Sequence, residues 1–562
     1  MATDNIEASP MEYNEDPPKD VEMLKLPIEI IKNILLYVDD HSRPNAALVC
    51  RTFYELICEL DRDKNPLDLL YSEIYDDDIY KSLINSGRQF SELFVNLKGC
   101  HYLHSSDRIV SIAKNFGSRI KKVKFWCSLQ AETPKVTDLD LMTVLKFLPD
   151  VEEIILFNIY VCSDCHRSPK SELDLYKLKR LDLNFCSFDN TLLLDLIPTN
   201  VLTDLVFTFD SLDETIYQNF FNRQGNIKKL EIFENDKINF DHLELEHLKI
   251  SSGMDFVVML NQQRTLKYID FAISWIDGKV FAAVLQLKDL EVLRTLVDQV
   301  PCVLFKELKQ LKHLKELRID SHCSFDCGHL LTLSMMNDMN LEKLTLYYVQ
   351  RDIPPEIFIQ ISKNFLKLRH IQIVNRSIQN LITIAQHFPN MESILWDFSG
   401  MFYSPDILQI DDYSHRHENL TQIVITNLNT TDVQNTQPLL KFCNSCPNLE
   451  RIFLSNLSGL SLSEFEELFT QHRKLTHLSL EVDSFEFDYL DIVLVSKLIS
   501  DLHHFRASKL LSCPTYSVLK CLFRDFFPKI TLYKYSTGEA ELIMKRRRAV
   551  DWYSSFNIRD HF

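Results

Sequence analysis

Apolar residues recur along most of this chain in one grammar. A large aliphatic residue is followed by two variable residues, a second aliphatic, one variable residue and a further apolar residue. It reads Ile120-Lys-Lys-Val123-Lys-Phe125, Val151-Glu-Glu-Ile154-Ile-Leu156 and Leu178-Lys-Arg-Leu181-Asp-Leu183. Further starts fall at Leu202, Ile227, Leu245, Leu266, Leu314, Leu341, Leu368, Leu420, Leu449 and Leu475, with weaker copies at Leu290, Met391 and Leu502. The sixteen starts between positions 120 and 502 are spaced 18 to 31 residues apart, about 25 on average. The last two apolar positions of each copy alternate with variable ones, which predicts a short strand buried on one face. Stretches between copies carry apolar residues at helical spacing, as in Leu141 to Phe147 and Leu462 to Phe469, so each predicts a helix with one face against the strands. Pro149, Pro389 and Pro447 stand between helix and strand, where a residue that cannot continue a helix ends it.

A period of 20–29 residues with this aliphatic grammar resembles the leucine-rich repeats. Cys446-Pro447-Asn448-Leu449 resembles their cysteine-containing subtype. One such unit cannot bury its apolar face alone, so neighbours must stack. The expected fold class is α/β: a leucine-rich-repeat solenoid with a curved parallel sheet inside and helices outside. It would span residues 120–532 in about 16 irregular repeats, and residues 533–562, with Trp552, Tyr553 and Phe556, would form a cap or tail.

The amino-terminal part reads differently. Residues 1–20 hold six acidic residues, one basic residue and three prolines, a composition that predicts a disordered tail. Behind Pro27, the residues Ile30, Ile31, Ile34 and Leu35 fall at helix spacing, and a second helix is suggested from Arg43 to Ile57. Leu26-Pro27-x-Glu29-Ile30-Ile31-x-x-Ile34-Leu35, followed by Leu48-Val49-Cys50-Arg51, resembles an F-box over residues 21–62. The sequence departs from that family at Phe53, where tryptophan is common, and at Asp39 to Pro44, which replaces a more apolar turn. The resemblance implies a small all-α module that docks on a Skp-family adaptor and, through it, on a cullin–RING ubiquitin ligase. The implied docking positions are Leu26, Pro27, Ile30, Ile31, Ile34 and Leu35, with Leu48, Val49 and Phe53 completing the surface or its core. The alternative is a repeat scaffold unconnected to ubiquitin, whose first helices merely cap the solenoid. Residues 63–119 read as a helical linker.

Composition narrows the chemistry. Ten glycines in 562 residues are far below the usual share of ~7%, and neither phosphate-binding glycine loops nor a nucleophile elbow is present. Sixty-one basic and 79 acidic residues give a formal charge of −18, which repels nucleic-acid phosphates; the densest basic run is Lys545 to Arg548. The polar, acidic start lacks the features of a secretory signal and no long apolar run occurs. The expectation is a cytoplasmic or nuclear chain, monomeric within its complex, with 14 reduced cysteines,. Cys162-Ser-Asp-Cys165-His166 has haem-attachment spacing but no supporting signature, and a cluster of His322, Cys323, Cys327 and His329 is more readily an ordinary loop,. The expectation is therefore no cofactor, no metal and no catalytic residue. The informative surface is the concave one, where variable strand residues point outward. Its aromatic and charged members suit a protein cargo: Trp126, Phe157, Arg180, Asp182, Phe233, Tyr268, Arg318, Tyr347, Arg451 and Phe453.

Overall fold

The computed structural model describes residues 26–482 apart from 39–42, 61–65, 87, 101, 104–106, 163–172, 190–191, 209–213, 234–238, 252–255, 298–299, 321–326, 338, 348–352, 375–377, 399–415, 427–435 and 458–459. Beyond 482 it describes residue 498 and the strands Phe485–Glu486, His504–Ser512, Ile530–Lys534 and Glu539–Lys545. The expected acidic tail, Trp552, Tyr553, Phe556, Cys165, His166, His322 and Cys323 lie outside the described residues. The chain divides into two compact units, Met1–Gln224 and Gly225–Phe562.

The first unit opens with three helices: α1 (Ile28–Tyr37), α2 (Arg43–Ala47) and α3 (Arg51–Leu60). Pro27 caps α1, its extended backbone turning into the first helical residue. Ile31 and Leu35 pack with Phe53, Leu56 and Ile57 of α3 in a separate small core, edged by Val38, Ala46, Ala47, Cys50 and Leu60. Arg43 closes the carboxyl end of α1. It is buried and donates to the carbonyls of Leu35 (3.3 Å) and Leu36 (3.2 Å), satisfying acceptors that a helix end leaves open. The Tyr54 hydroxyl donates to the Ser86 carbonyl, tying α3 to the segment beyond.

That segment corrects one expectation. Residues 63–119 are not only helical: Leu67–Leu70 and Glu92–Asn96 are strands, because Leu67/Leu69 and Leu93/Val95 alternate with outward residues in the same way as the repeats. They begin a parallel sheet that runs through Lys122–Trp126, Glu153–Phe157 and Arg180–Asn184 to Asp204–Thr208. Helices such as Asp107–Phe116 and Asp138–Leu145 cover one face. Gly117 fits where they meet: a Cβ there would lie 2.1 Å from the Phe147 carbonyl oxygen.

In the second unit, twelve parallel strands follow in chain order from Lys229–Phe233 to His504–Ser512. All sixteen motif copies read from the sequence are strands across the two units. Register is in phase: Leu317 pairs with Leu344, Leu344 with Ile371 and Ile371 with Ile394, so the inward aliphatic side chains form continuous buried rows. The asparagine before a motif helps to join repeats. Asn340, Asn390, Asn419 and Asn448 donate to the carbonyls of Lys312, Leu366, Pro389 and Glu418, each in the preceding repeat. At the far end Glu539–Lys545 pairs antiparallel with His504–Ser512, which occupies hydrogen-bonding groups an open edge would expose. Each unit is therefore a length of α/β leucine-rich-repeat solenoid.

Candidate protein-interaction site

Two surfaces stand out, and the first is on the helical module. Helix α1 is apolar around most of its circumference, and only one stripe can face α3. Ile31 and Leu35 do so, at 2% and 1% exposure. Ile30 and Ile34, a helical turn apart on the other side, remain exposed, as do Leu26, Ile28, Leu36 and Tyr37. Leu48 and Val49, in the turn before α3, are exposed too. Pro27 is also at the surface. Of the docking positions implied by the sequence, Leu26, Pro27, Ile30, Ile34, Leu48 and Val49 are accessible. Ile31 and Leu35 are corrected: they are this module's own core, since a three-helix unit this small needs them to exclude water between α1 and α3; Phe53 takes the core place rather than the surface place allowed for it. Ile28, Leu36 and Tyr37, which the sequence reading did not name, are exposed as well; the unbroken apolar run Ile34-Leu35-Leu36-Tyr37 was a signal that more than one face of the helix is apolar.

The second surface is the strand face opposite the helices, considered unit by unit. In the first unit Lys122 pairs with Glu153 at 3.0 Å. Arg180 pairs with Glu153 and Asp182 at 3.2 and 3.4 Å. Trp126 and Phe157 are half-buried register partners at the strands' carboxyl ends. In the second unit the expected anchors engage one another. Arg318 donates to Asp320 at 2.9 Å and stacks over Tyr347 at 4.8 Å. The Tyr268 hydroxyl donates to Asp270 at 3.2 Å, and Arg294, paired with Glu316 at 2.9 Å, lies over the Tyr268 ring. Burial and the nearby Asp270 carboxylate raise the Tyr268 hydroxyl above its ordinary range. Lys249 sits 5.6 Å from the Phe233 ring centre. Phe453 is a correction: it is 6% exposed, packed with Leu395 and Val424 at the same register of adjacent strands. Three apolar residues in one row pack on one another, and Phe453 leaves little surface for a partner. Arg451 stays half-exposed.

The candidate metal and redox residues have ordinary roles where they are described. The Cys162 thiol points at the Val136 carbonyl at 3.6 Å. His329 is buried with its Nε2 2.8 Å from the Val300 carbonyl and its ring against Phe305. Burial pushes the Cys446 thiol up to about 12, and burial raises Cys443 likewise. Among the described residues no group of three or more His, Cys, Asp or Glu could hold a metal, and no helix is long and apolar enough to cross a membrane.

Comparison with known proteins gives one family match: the F-box domain, over residues 23–65. No curated protein matches the chain at a significant level. Among solved structures, a leucine-rich-repeat protein of Leptospira interrogans is 19% identical, with a TM-score of 0.33, 75% of this chain covered and 97% of that one. An internalin of Listeria monocytogenes is 14% identical, with a TM-score of 0.26 and coverage of 63% and 80%. A chain of the Toll–Spätzle complex of Drosophila is 13% identical, with a TM-score of 0.36 and coverage of 72% and 56%. Scores this low superpose little of either molecule, so the repeat architecture rests on strand order and register.

Proposed function

We propose, from the premise that this is an F-box protein with leucine-rich repeats, that the chain is the substrate-recognition subunit of an SCF-type ubiquitin ligase. The F-box docks on a Skp-family adaptor and so on a cullin–RING assembly, and the strand face of the repeats binds a protein cargo. The chain contributes no catalytic group of its own. It raises the local concentration of cargo at the site where ubiquitin is transferred. The observation that carries this reading is that Leu26, Ile28, Ile30, Ile34, Leu48 and Val49 are all exposed on a module whose core is already filled by other residues. A cap for the repeats would turn such residues inward. Exposed, they form an apolar surface of the kind that marks a partner site.

Affinity purification of the full chain and of a form lacking residues 1–62, each followed by mass spectrometry, tests the proposal. Ligase components should be lost with the deletion and cargo retained. A full chain that stays alone beside excess Skp-family adaptor would leave the scaffold reading in its place.

A further inference from the structure

The open strand face of the first unit differs from that of the second in what is left unsatisfied. In the second unit the central guanidinium groups are neutralised: Arg294 by Glu316 and Arg318 by Asp320, both at 2.9 Å. In the first unit aromatic surface collects at the strand ends around one cation without an acidic partner.

The aromatic part is a ledge. Trp126 and Phe157 are register partners on neighbouring strands. The Phe185 ring stands edge-on to Phe157, with 5.6 Å between ring centres, and is 47% exposed. Phe94 and Ile155 lie on the same face, one strand to either side of Lys124.

Phe185 is held there against its own preference. Its φ of 55° is a region bulky residues avoid, because Cβ crowds the carbonyl oxygen. The turn is fixed by neighbouring repeats. The Phe185 N–H donates to Thr208 Oγ1 at 3.2 Å, and Thr208 Oγ1 donates to Asn184 Oδ1 at 2.7 Å. The Asn158 N–H donates to the Asn184 carbonyl at 3.1 Å. Asparagine or glycine would make this turn at less cost. A strained backbone that displays a half-exposed aromatic ring is a mark of a functional position.

The cation is Lys124. Its ammonium lies 5.2 Å from the Trp126 ring centre. Lys122 and Arg180 beside it are both paired with Glu153; Lys124 has no ion pair among the described residues. It is two residues before Trp126 on the same strand, hence about 7 Å away along it, which is also the spacing of side chains at i and i+2 on one face of an extended peptide.

We propose that this ledge anchors the cargo through an extended peptide segment carrying a large apolar or aromatic side chain and, two residues away, a carboxylate. The apolar side chain packs on Phe157, Phe185 and Trp126, and the carboxylate meets Lys124. This deepens the cargo-binding reading above and rests on it.

The probe is a displayed library of random short peptides selected on the full-length chain, with one enriched peptide then synthesised and titrated. Enriched peptides should pair Asp or Glu with Phe, Trp or Leu two positions apart. Phe185→Asn should weaken binding at least about tenfold, the effect of losing a hot-spot aromatic, while the melting temperature does not fall, since asparagine tolerates the turn. Lys124→Glu should weaken it about as much, and a peptide with lysine in place of its acid should restore it. The same two variants should bind Skp-family adaptor like the parent. Enriched peptides without an acid, affinity indifferent to both substitutions, no enriched peptide at all, or self-association abolished by Phe185→Asn would each overturn the proposal. Failure of the parent chain to bind adaptor would refute the ligase reading instead, and would leave the peptide selection to be judged on its own outcome.

Discussion

Replacing Ile30 and Ile34 together separates docking from folding. Fully burying an isoleucine side chain stabilises by ~1.5–3 kcal/mol. Ile30 is 45% and Ile34 36% exposed, so each has about two-fifths of that still to gain on docking, about 0.6–1.2 kcal/mol. Truncating both to alanine should therefore weaken adaptor binding by about 1–2 kcal/mol, or roughly 5–30-fold in Kd. Changing both to aspartate adds the cost of burying unpaired carboxylates, several kcal/mol in effective terms, and should take the loss to about a thousandfold or beyond. Neither change enters the core of Ile31, Leu35, Phe53, Leu56 and Ile57, but the three-fifths of each isoleucine already buried is lost with it. The folded module should therefore be destabilised by about 2–4 kcal/mol, and binding is compared at a temperature where the melting curve shows the variant folded. Leu35→Ala is the contrast. Leu35 is 1% exposed, its truncation should cost ~2–5 kcal/mol, and binding should then fall together with helical signal. The assay is calorimetric titration with a Skp-family adaptor beside circular-dichroism melting of the same samples. A folded Ile30→Asp/Ile34→Asp chain that binds adaptor with the parent's Kd would refute the assignment of this surface.

Three further outcomes follow from the packing. Gly117→Ala should destabilise the first unit by ~1–3 kcal/mol, the cost of overpacking, because the new methyl would meet the backbone oxygen of Phe147; an unchanged denaturation midpoint would contradict the close approach. Arg43→Ala should cost ~1.5–3 kcal/mol, as expected for losing charged hydrogen bonds to the Leu35 and Leu36 carbonyls, and hydrogen exchange at the end of α1 should speed up; exchange at the parent's rate would show the cap to be idle. Burial holds His472 down at about 4, so between its ordinary ~6.5 and about 4 only the unfolded chain takes up that proton. The contribution is intact above the unfolded value and shrinks as pH falls through that window, by up to about 3 kcal/mol at ~1.4 kcal/mol per pH unit. Urea unfolding of His472→Leu should lose correspondingly less stability between neutral and acid pH than the parent, and parallel losses would contradict the burial argument.

The recurring strands were legible because their signal is local. In Leu314-Lys-Glu-Leu317-Arg-Ile319 the period of two names the buried side chains wherever the strand finally lies, and stacking in phase follows from the repeat itself. The same rule applied earlier in the chain would have found Leu67–Leu70 and Glu92–Asn96, which carry only the strand half of the motif. The F-box too was readable from Leu26-Pro27 and from Leu48 to Arg51, as a composition of two helices. Pro389-Asn390 and Pro447-Asn448 were visible as helix stops, but the hydrogen bonds of their asparagines to the preceding repeat were not, because the acceptor is 24 and 30 residues away.

Which apolar positions are buried and which stay exposed was decided by tertiary structure. Helix α1 offers aliphatic residues on two sides, and only the placement of α3 makes Ile31 and Leu35 core and leaves Ile30 and Ile34 at the surface. Phe453 and Phe157 are both variable, outward-facing positions of their strands, yet register sets Phe453 beside Leu395 and Val424, whereas Phe157 meets Trp126 and the exposed Phe185. A sequence carries its hydrophobic period within a few residues. Burial and charge pairing depend on neighbours a whole repeat or helix away, and those neighbours are assigned only when the chain has folded.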